Sequence, residues 1–405
     1  MLFGKVGKGF SAIFYLVSMV NLVEVVFAFT VPLVAYNLAS SASDMGLVRA
    51  AEFLPHLILS VFIGVLVDNF DKKKLIRLCL VACTIIAAAF PIVISHFEVD
   101  IYFYAMSIFL ISALVLIVRA SINVTLKESV DKDLLIRANS KIQSTAEFLH
   151  TVGPILSGFV FYLSFPKYGF YGCAVGFVIA LLVSFALKSN NEKSNDTTKT
   201  VNSVLHQLVE GFSIFKKMPK LIHMSLIIMF VNAIISSANL LNIFVIKDEL
   251  KLSDLYLGIA VSIGAVGAFL GGITLHRFEE KISEFKLIAT SLALSALGYI
   301  FIYSFKSYTA ICFSMFLEGL SSIWIAVTVW TYRQKVTSSE VLGRISGITG
   351  MIFKVLVPVG LLVSTWYVDI YNSFDFYLFT IILSFIVCIA CLILERESGA
   401  LEPQV

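Results

Sequence analysis

The sequence predicts an all-α membrane protein of twelve transmembrane helices in two pseudo-symmetric six-helix bundles. Three observations lead there: a chain that is 59% apolar, 14% charged and has a mean hydropathy of +0.93, an unbroken succession of long apolar runs, and a segment that recurs half the chain later. Soluble domains hold only about 45–50% apolar residues, so that class is excluded. A hydrocarbon core takes roughly 20 helical residues to cross. Runs of that order lie at about 11–38, 45–67, 75–96, 101–123, 139–164, 168–187, 222–246, 255–275, 286–305, 308–332, 344–368 and 375–394. They must be helices, because lipid leaves no partner for an unpaired backbone group, and a barrel would show short alternating strands.

Taken in order, the first run follows Lys5 and Lys8 as a signal peptide would, but it is too long and lacks a small-residue cleavage site, so it is expected to be the first span. The second to sixth runs follow through short polar turns. Between the sixth and seventh lies "KSNNEKSNDTTKTVNS", polar and without apolar periodicity. It reads as a linker. After it, Val204, Leu208, Phe212 and Phe215 share one helical face ahead of Lys216, Lys217 and Lys220, the pattern of a helix lying at the membrane surface. The expected domains are 1–188, a six-helix bundle; 189–221, the linker with its surface helix; and 222–405, a second bundle.

The repeat ties the two bundles together. "LLIRANSKIQSTAEFLHTVGP" at 134–154 aligns with "VLGRISGITGMIFKVLVPVGL" at 341–361, 207 positions on, placing Arg137 on Arg344 and Gly153 on Gly360 but Glu147 on Lys354. It joins the fifth helix of each half, so the halves are expected to be parallel repeats about an axis along the membrane normal.

Charge supplies the orientation. A net charge of +3 is too weak to call for nucleic acid. With the termini cytoplasmic, the opposite side holds only Lys167, Lys247, Lys251 and Lys306, while Arg49, Arg119 and Lys354 fall within helices and every other basic residue is cytoplasmic. The positive-inside rule therefore sets both termini in the cytoplasm. All six cysteines lie in apolar helices, and the CxxC spacing of Cys388 and Cys391 supplies two ligands where zinc needs at least three, so they read as packing residues.

"GVLVDNFDKKK", Gly64 to Lys74, resembles the loop signature between helices two and three of the major facilitator superfamily: a glycine for close approach, an aspartate, then a basic cluster. The resemblance covers most of the chain and is nearest to the branch of enterobactin exporters and macrolide efflux proteins, through "LIRANS", "VEGFSIFKKMPKL" and "VLGRISG". Asn69 and Asp71 depart from the signature, which usually carries arginine and glycine there. The resemblance implies a monomeric multi-pass transporter of the inner (cytoplasmic) membrane. It implies gating by Gly64, Asp68, Lys72 and Lys73 against helix eleven, with Arg137 and Arg344 at the two equivalent entries. Gly153-Pro154 with Gly158 resembles the glycine-proline motif in helix five of superfamily antiporters, where proline frees a carbonyl and bends the helix. Ordinary glycine packing, as at Gly264, Gly267, Gly271 and Gly272, is the alternative.

The ionisable residues inside the spans are Glu24, Arg49, Glu52, His56, Arg119, Glu147, His150, Glu318 and Lys354. None is central in helices three, six, nine or twelve, which are the lipid-facing helices of the superfamily. A charge at the bilayer centre costs roughly 2.5–3.5 kcal/mol even on the lenient scale, so each stands for function or for an ion pair. Glu24, Glu52, Glu147 and Glu318 are candidate proton carriers if burial keeps them near neutrality, and His56 and His150 titrate there unaided. Arg119 and Lys354, with Glu24, are candidates for substrate; two buried cations favour an anionic cargo such as a carboxylate or catecholate. The alternatives are ion pairs, Arg119 with Glu24 and Lys354 with Glu52.

The expected function is secondary active transport by alternating access: proton-coupled export of a small amphiphilic or anionic compound, siderophore or drug. Proton-coupled uptake is the alternative, and a non-transporting receptor is the alternative of another class. The expected partners are a small-molecule substrate, protons and the lipid bilayer. No P-loop, HExxH or Ser/His/Asp grouping points to an enzyme, and no catalytic residue, metal or cofactor is expected.

Overall fold

The computed structural model describes residues 10–39, 41–130, 168–187, 209–275, 281–337 and 341–401, with isolated helical positions between 134 and 149. The described residues are almost entirely helical. In chain order they form α1 (Phe10–Leu38), α2 (Ala42–Ile58), α3 (Ser60–Asn69), α4 (Lys72–His96), α5 (Ile101–Ser129), α6 (Gly169–Ser184), α7 (Pro219–Phe244), α8 (Asp254–Leu275), α9 (Glu284–Phe305), α10 (Tyr308–Val336), α11 (Leu342–Lys354), α12 (Val357–Ile370) and α13 (Ser373–Leu401). Among the described residues, nine segments are long and apolar enough to cross a membrane, one being α11 and α12 together. The second apolar run is divided at Leu59 into α2 and α3, and α6 falls short of full span length among the described residues. The fifth run lies mostly outside them.

Local chemistry sets several boundaries. Asp71, one of the two departures from the loop signature, caps α4 by accepting the Lys74 N–H at 2.8 Å. Asp100 and Ser307 cap α5 and α10 in the same manner. These satisfy first-turn donors that a helix cannot satisfy itself. The eleventh run breaks because Pro358 has no N–H for the Lys354 carbonyl four residues back and its ring crowds that turn. Asn232 of α7 takes up the neighbouring Phe353 carbonyl at 3.0 Å. Beyond α7 the chain widens into a π turn, Val245–Glu249.

The chain divides into two compact units, Met1–Ala39 with Ala51–Gln207, and Ser40–Ala50 with Leu208–Val405. The short early segment belongs to the second unit. Asp369 of α12 accepts the N–H groups of Ala42 (2.6 Å) and Ser43 (2.9 Å), capping α2, and Gly46 lies against Thr365.

Unit 1 packs α1 and α4 on α6 and α4 on α5. At their centre is an aromatic knot: Phe90 stacks on Tyr104 at 4.8 Å and meets Phe170 at 4.9 Å, and Phe27 closes on Phe170. The Tyr104 hydroxyl donates to the Val31 carbonyl.

Unit 2 packs α8 on α10 and α9 on both α10 and α13. A Cβ on Gly319 would stand 1.9 Å from the Gly264 carbonyl oxygen, and one on Gly267 2.1 Å from that of Phe316. Only glycine lets the α8 and α10 backbones approach this closely. Met224, Ile228, Phe285, Leu292, Val329 and Val387 fill the core behind them. Residues 209–215 are helical, and Phe215 is buried with Leu221, Ile345 and Ile348. Phe212, expected on the same apolar face, stays exposed, while Val204 and Leu208 lie outside the described residues.

Candidate functional site

Each unit sets a carboxylate at a helix interface, Glu24 half-buried in unit 1 and Glu318 buried in unit 2, and the two are satisfied in opposite ways. In unit 1, Arg119 of α5 reaches across to α1. Its Nε donates to Glu24 Oε1 at 2.5 Å, and its Nη2 donates both to Glu24 Oε2 and to Asn21 Oδ1, the latter at 2.6 Å. The planar fork of the guanidinium matches the two carboxylate oxygens, so the pair is bidentate. Asn21 and Glu24 stand three residues apart on one helix face, which presents both acceptors together. About a third of each charged side chain remains exposed, 34% for Arg119 and 29% for Glu24. The pair thus stands at an open surface and not in a dry core. Of the two roles open to Arg119, ion pairing with Glu24 is the one the geometry displays.

In unit 2, Glu318 of α10 is 6% exposed and has no cation beside it among the described residues. Its Oε1 accepts from Asn239 Nδ2 of α7 at 2.8 Å, and its Oε2 accepts from the Tyr299 hydroxyl of α9 at 2.9 Å. Tyr299 lies 6.1 Å, ring to ring, from Tyr377 of α13, whose hydroxyl donates to Asn242 Oδ1 of α7 at 2.6 Å. Both tyrosines are fully buried and Asn242 is 2% exposed. Four helices meet at this network. An isolated ionised carboxylate is very costly in so dry a site, whereas a protonated one needs only the partners already present. The arrangement is therefore chemically suited to hold a proton.

Asn239, Asn242, Tyr299 and Tyr377 escape an inspection for charge, because none is ionised. A signal was present: two asparagines three residues apart in the apolar α7 share a face, as Asn21 and Glu24 do in α1.

The other expected residues are placed as follows. Arg49, Glu52 and His56 on α2 and Lys354 at the end of α11 are half-buried, and none of them lacks a partner. Lys354 closes the last turn before the helix break, where a cation complements freed carbonyls. Gly64 and Asp68 lie in α3 and Lys72 and Lys73 open α4. Arg344 opens α11 and pairs at 2.9 Å with Glu210 of the surface segment. Glu147, His150, Arg137, Gly153, Pro154 and Gly158 lie outside the described residues. The six cysteines are free thiols, and no cluster of metal-ligating side chains occurs among the described residues.

Comparison with known proteins agrees with this architecture. The chain is 22% identical over 342 residues to macrolide efflux protein A of Streptococcus pyogenes, covering 81% of this chain and 82% of that protein. It is 21% identical over 344 residues to the staphyloferrin A transporter of Staphylococcus aureus, covering 82% of each. Among solved structures, the nucleoside transporter NupG superposes with a TM-score of 0.71 at 16% identity, over 95% of this chain and 98% of that one. A bacterial homolog of the human lysosomal transporter Spinster, inward-facing and occupied, gives 0.72 at 11% identity over 96% of each. At such identities these likenesses establish the fold alone. The model of the Major Facilitator Superfamily matches residues 12–360, most of the chain, and this protein belongs to that family of membrane transporters.

Proposed function

We propose that this secondary transporter exports a small amphiphilic or anionic compound, a siderophore or a drug, in exchange for protons, from the inner membrane of a cell whose cytoplasm holds both termini. The observation that carries the reading is Glu318: a carboxylate buried at a four-helix junction and bonded, among the described residues, to neutral groups only. A carboxylate in that state is suited to hold a proton inside the membrane, and coupling requires such a group. Glu52, His56, Glu147 and His150 remain further proton-carrying candidates.

Cargo is assigned to two cations in this reading, Arg119 of unit 1 and Lys354 of unit 2. The Arg119–Glu24 pair keeps a third of its surface open, so an anionic ligand can compete with Glu24 for the guanidinium, while Lys354 supplies a second cation. Relatives named for staphyloferrin A and for macrolides support the siderophore and drug classes respectively. Gly64, Asp68, Lys72, Lys73, Arg137, Gly153, Pro154 and Arg344 would serve the gating steps.

The test is flux in proteoliposomes with an imposed pH gradient, using staphyloferrin A and a macrolide as probes. Movement of either probe driven by the gradient, with proton flux opposed to it, is expected for export; co-directional flux would make the protein a symporter. Ligand binding without any proton or probe movement would identify a receptor and end the transport reading for these probes. Arg119→Met and Lys354→Met retaining full transport of an anionic probe would remove the cargo assignment.

A further inference from the structure

Unit 2 holds its polar network at sites where its sequence twin in unit 1 is apolar. α5 and α10 are both 29-residue helices, and their capping residues Asp100 and Ser307 stand 207 positions apart, which sets Glu318 against Ile111. Tyr299 on α9 and Tyr377 on α13 match Phe90 on α4 and Phe170 on α6 in helix and in ring contact. The offsets are 209 positions, the spacing of the C-caps Phe97 and Lys306 of the same two helices, and 207 positions, the spacing of the repeat. Unit 1 thus demonstrates that this helix grouping packs well with no polar atom at these three places. Because a buried polar network is seldom more stabilising than apolar packing of the same shape, packing does not account for all three polar groups arising together, two of them joined by a hydrogen bond and the third in ring contact with the second.

The direction of each hydrogen gives them a purpose. Tyr299 donates its one hydroxyl hydrogen to Glu318 Oε2, and Tyr377 donates its own to Asn242. The Tyr377 oxygen therefore has unused acceptor capacity, with no other side-chain partner for its hydroxyl among the described residues. When a proton arrives on Glu318 Oε2, that oxygen becomes a donor. Oε1 still accepts from Asn239, so the new O–H turns to the Tyr299 oxygen and the Tyr299 hydrogen must find another acceptor.

We propose that the Tyr377 oxygen is that acceptor, held ready by Asn242, so that Tyr377 and Asn242 are positioning residues that set how readily Glu318 takes its proton. This rests on the reading of Glu318 as a proton carrier. No covalent bond changes beyond the proton gained at Oε2; the two phenols only reorient. Among the described residues, the titratable groups facing Glu318 are Tyr299 from α9 and, behind it, Tyr377 from α13, while α7 offers Asn239. At 1.5 Å per residue, Glu318 lies about 15 Å along α10 from Tyr308, and Tyr377 only about 6 Å along α13 from Ser373. Asn242 stands three residues before the π turn, and such turns often mark functional joints. The chain of hydroxyls thus links the protonation of a mid-span carboxylate to the end of α7.

The experiment follows the carboxyl infrared band of the full-length protein in lipid as pH is stepped, with Glu318→Gln defining which band belongs to Glu318. In Tyr377→Phe and in Asn242→Val the ratio of protonated to ionised Glu318 at a fixed pH should fall about fivefold, the equivalent of one ordinary net hydrogen bond. Tyr104→Phe, which removes a buried hydroxyl from unit 1, should leave it unchanged. An unaltered fraction in both unit 2 variants overturns the inference while leaving Glu318 a proton carrier. If Glu318→Gln removes no pH-dependent band, the proton reading and the inference fall together.

Discussion

Removing Arg119 tests the unit 1 pair most directly. Arg119→Met keeps much of the side-chain length but withdraws the donors that serve Glu24 and Asn21. Breaking a fully buried pair costs about 3–5 kcal/mol and an exposed one about 0.2–1. With roughly a third of each side chain open to solvent, a loss of about 2 kcal/mol follows. A ceiling exists: protonating an ordinary glutamate at pH 7 costs about 3.7 kcal/mol, so the stranded carboxylate escapes at no more than that. Glu24→Gln has no such escape, since guanidinium stays charged, and it should cost more, about 3 kcal/mol. The double variant leaves no unpaired charge and should lose only about 1 kcal/mol, well below the sum of the singles. Reversible chemical unfolding in mixed micelles measures all three. Additive losses, or a harmless Arg119→Met, would refute the pairing argument.

Glu318→Gln preserves the shape and both hydrogen bonds once the Tyr299 hydroxyl turns, so thermal stability in detergent should change by less than about 1 kcal/mol. Glu318→Leu strands the Asn239 and Tyr299 donors and should cost about 2–4 kcal/mol; equal stability of the two variants would contradict the network. Gly319→Ala drives a methyl into the Gly264 carbonyl and should cost more than about 3 kcal/mol, seen as loss of folded yield, whereas Gly272→Ala, with its nearest atom at 4.0 Å, should be tolerated. Asp369→Ala removes the cap of α2 and should cost about 1 kcal/mol, with faster hydrogen exchange at Ala42 and Ser43; unchanged exchange there would count against the cap.

The sequence by itself determined that the chain crosses a membrane repeatedly, that it consists of two related halves, and which helices carry charge. Each of these depends on quantities summed along the chain: apolar length against bilayer thickness, recurrence at a fixed offset, and the penalty for charge in lipid. The cap at Asp71 is just as local, three residues from the N–H it accepts, but in the sequence Asp71 stood out only as a departure from the loop signature. Partnership was not. Glu24 and Arg119 are 95 residues apart, and Glu318 meets Asn239 from 79 residues away. Hydropathy assigns Glu24 and Glu318 the same cost, yet one is bound to a guanidinium at an open surface and the other to two neutral donors in a dry junction. That difference depends on which helix faces come within about 3 Å of each other, a property of packing between helices and not of any single helix. The tyrosines were hidden for the same reason, since a hydroxyl carries no signal of its own until the fold sets a carboxylate against it, and the two asparagines of α7 marked a face without naming its partner.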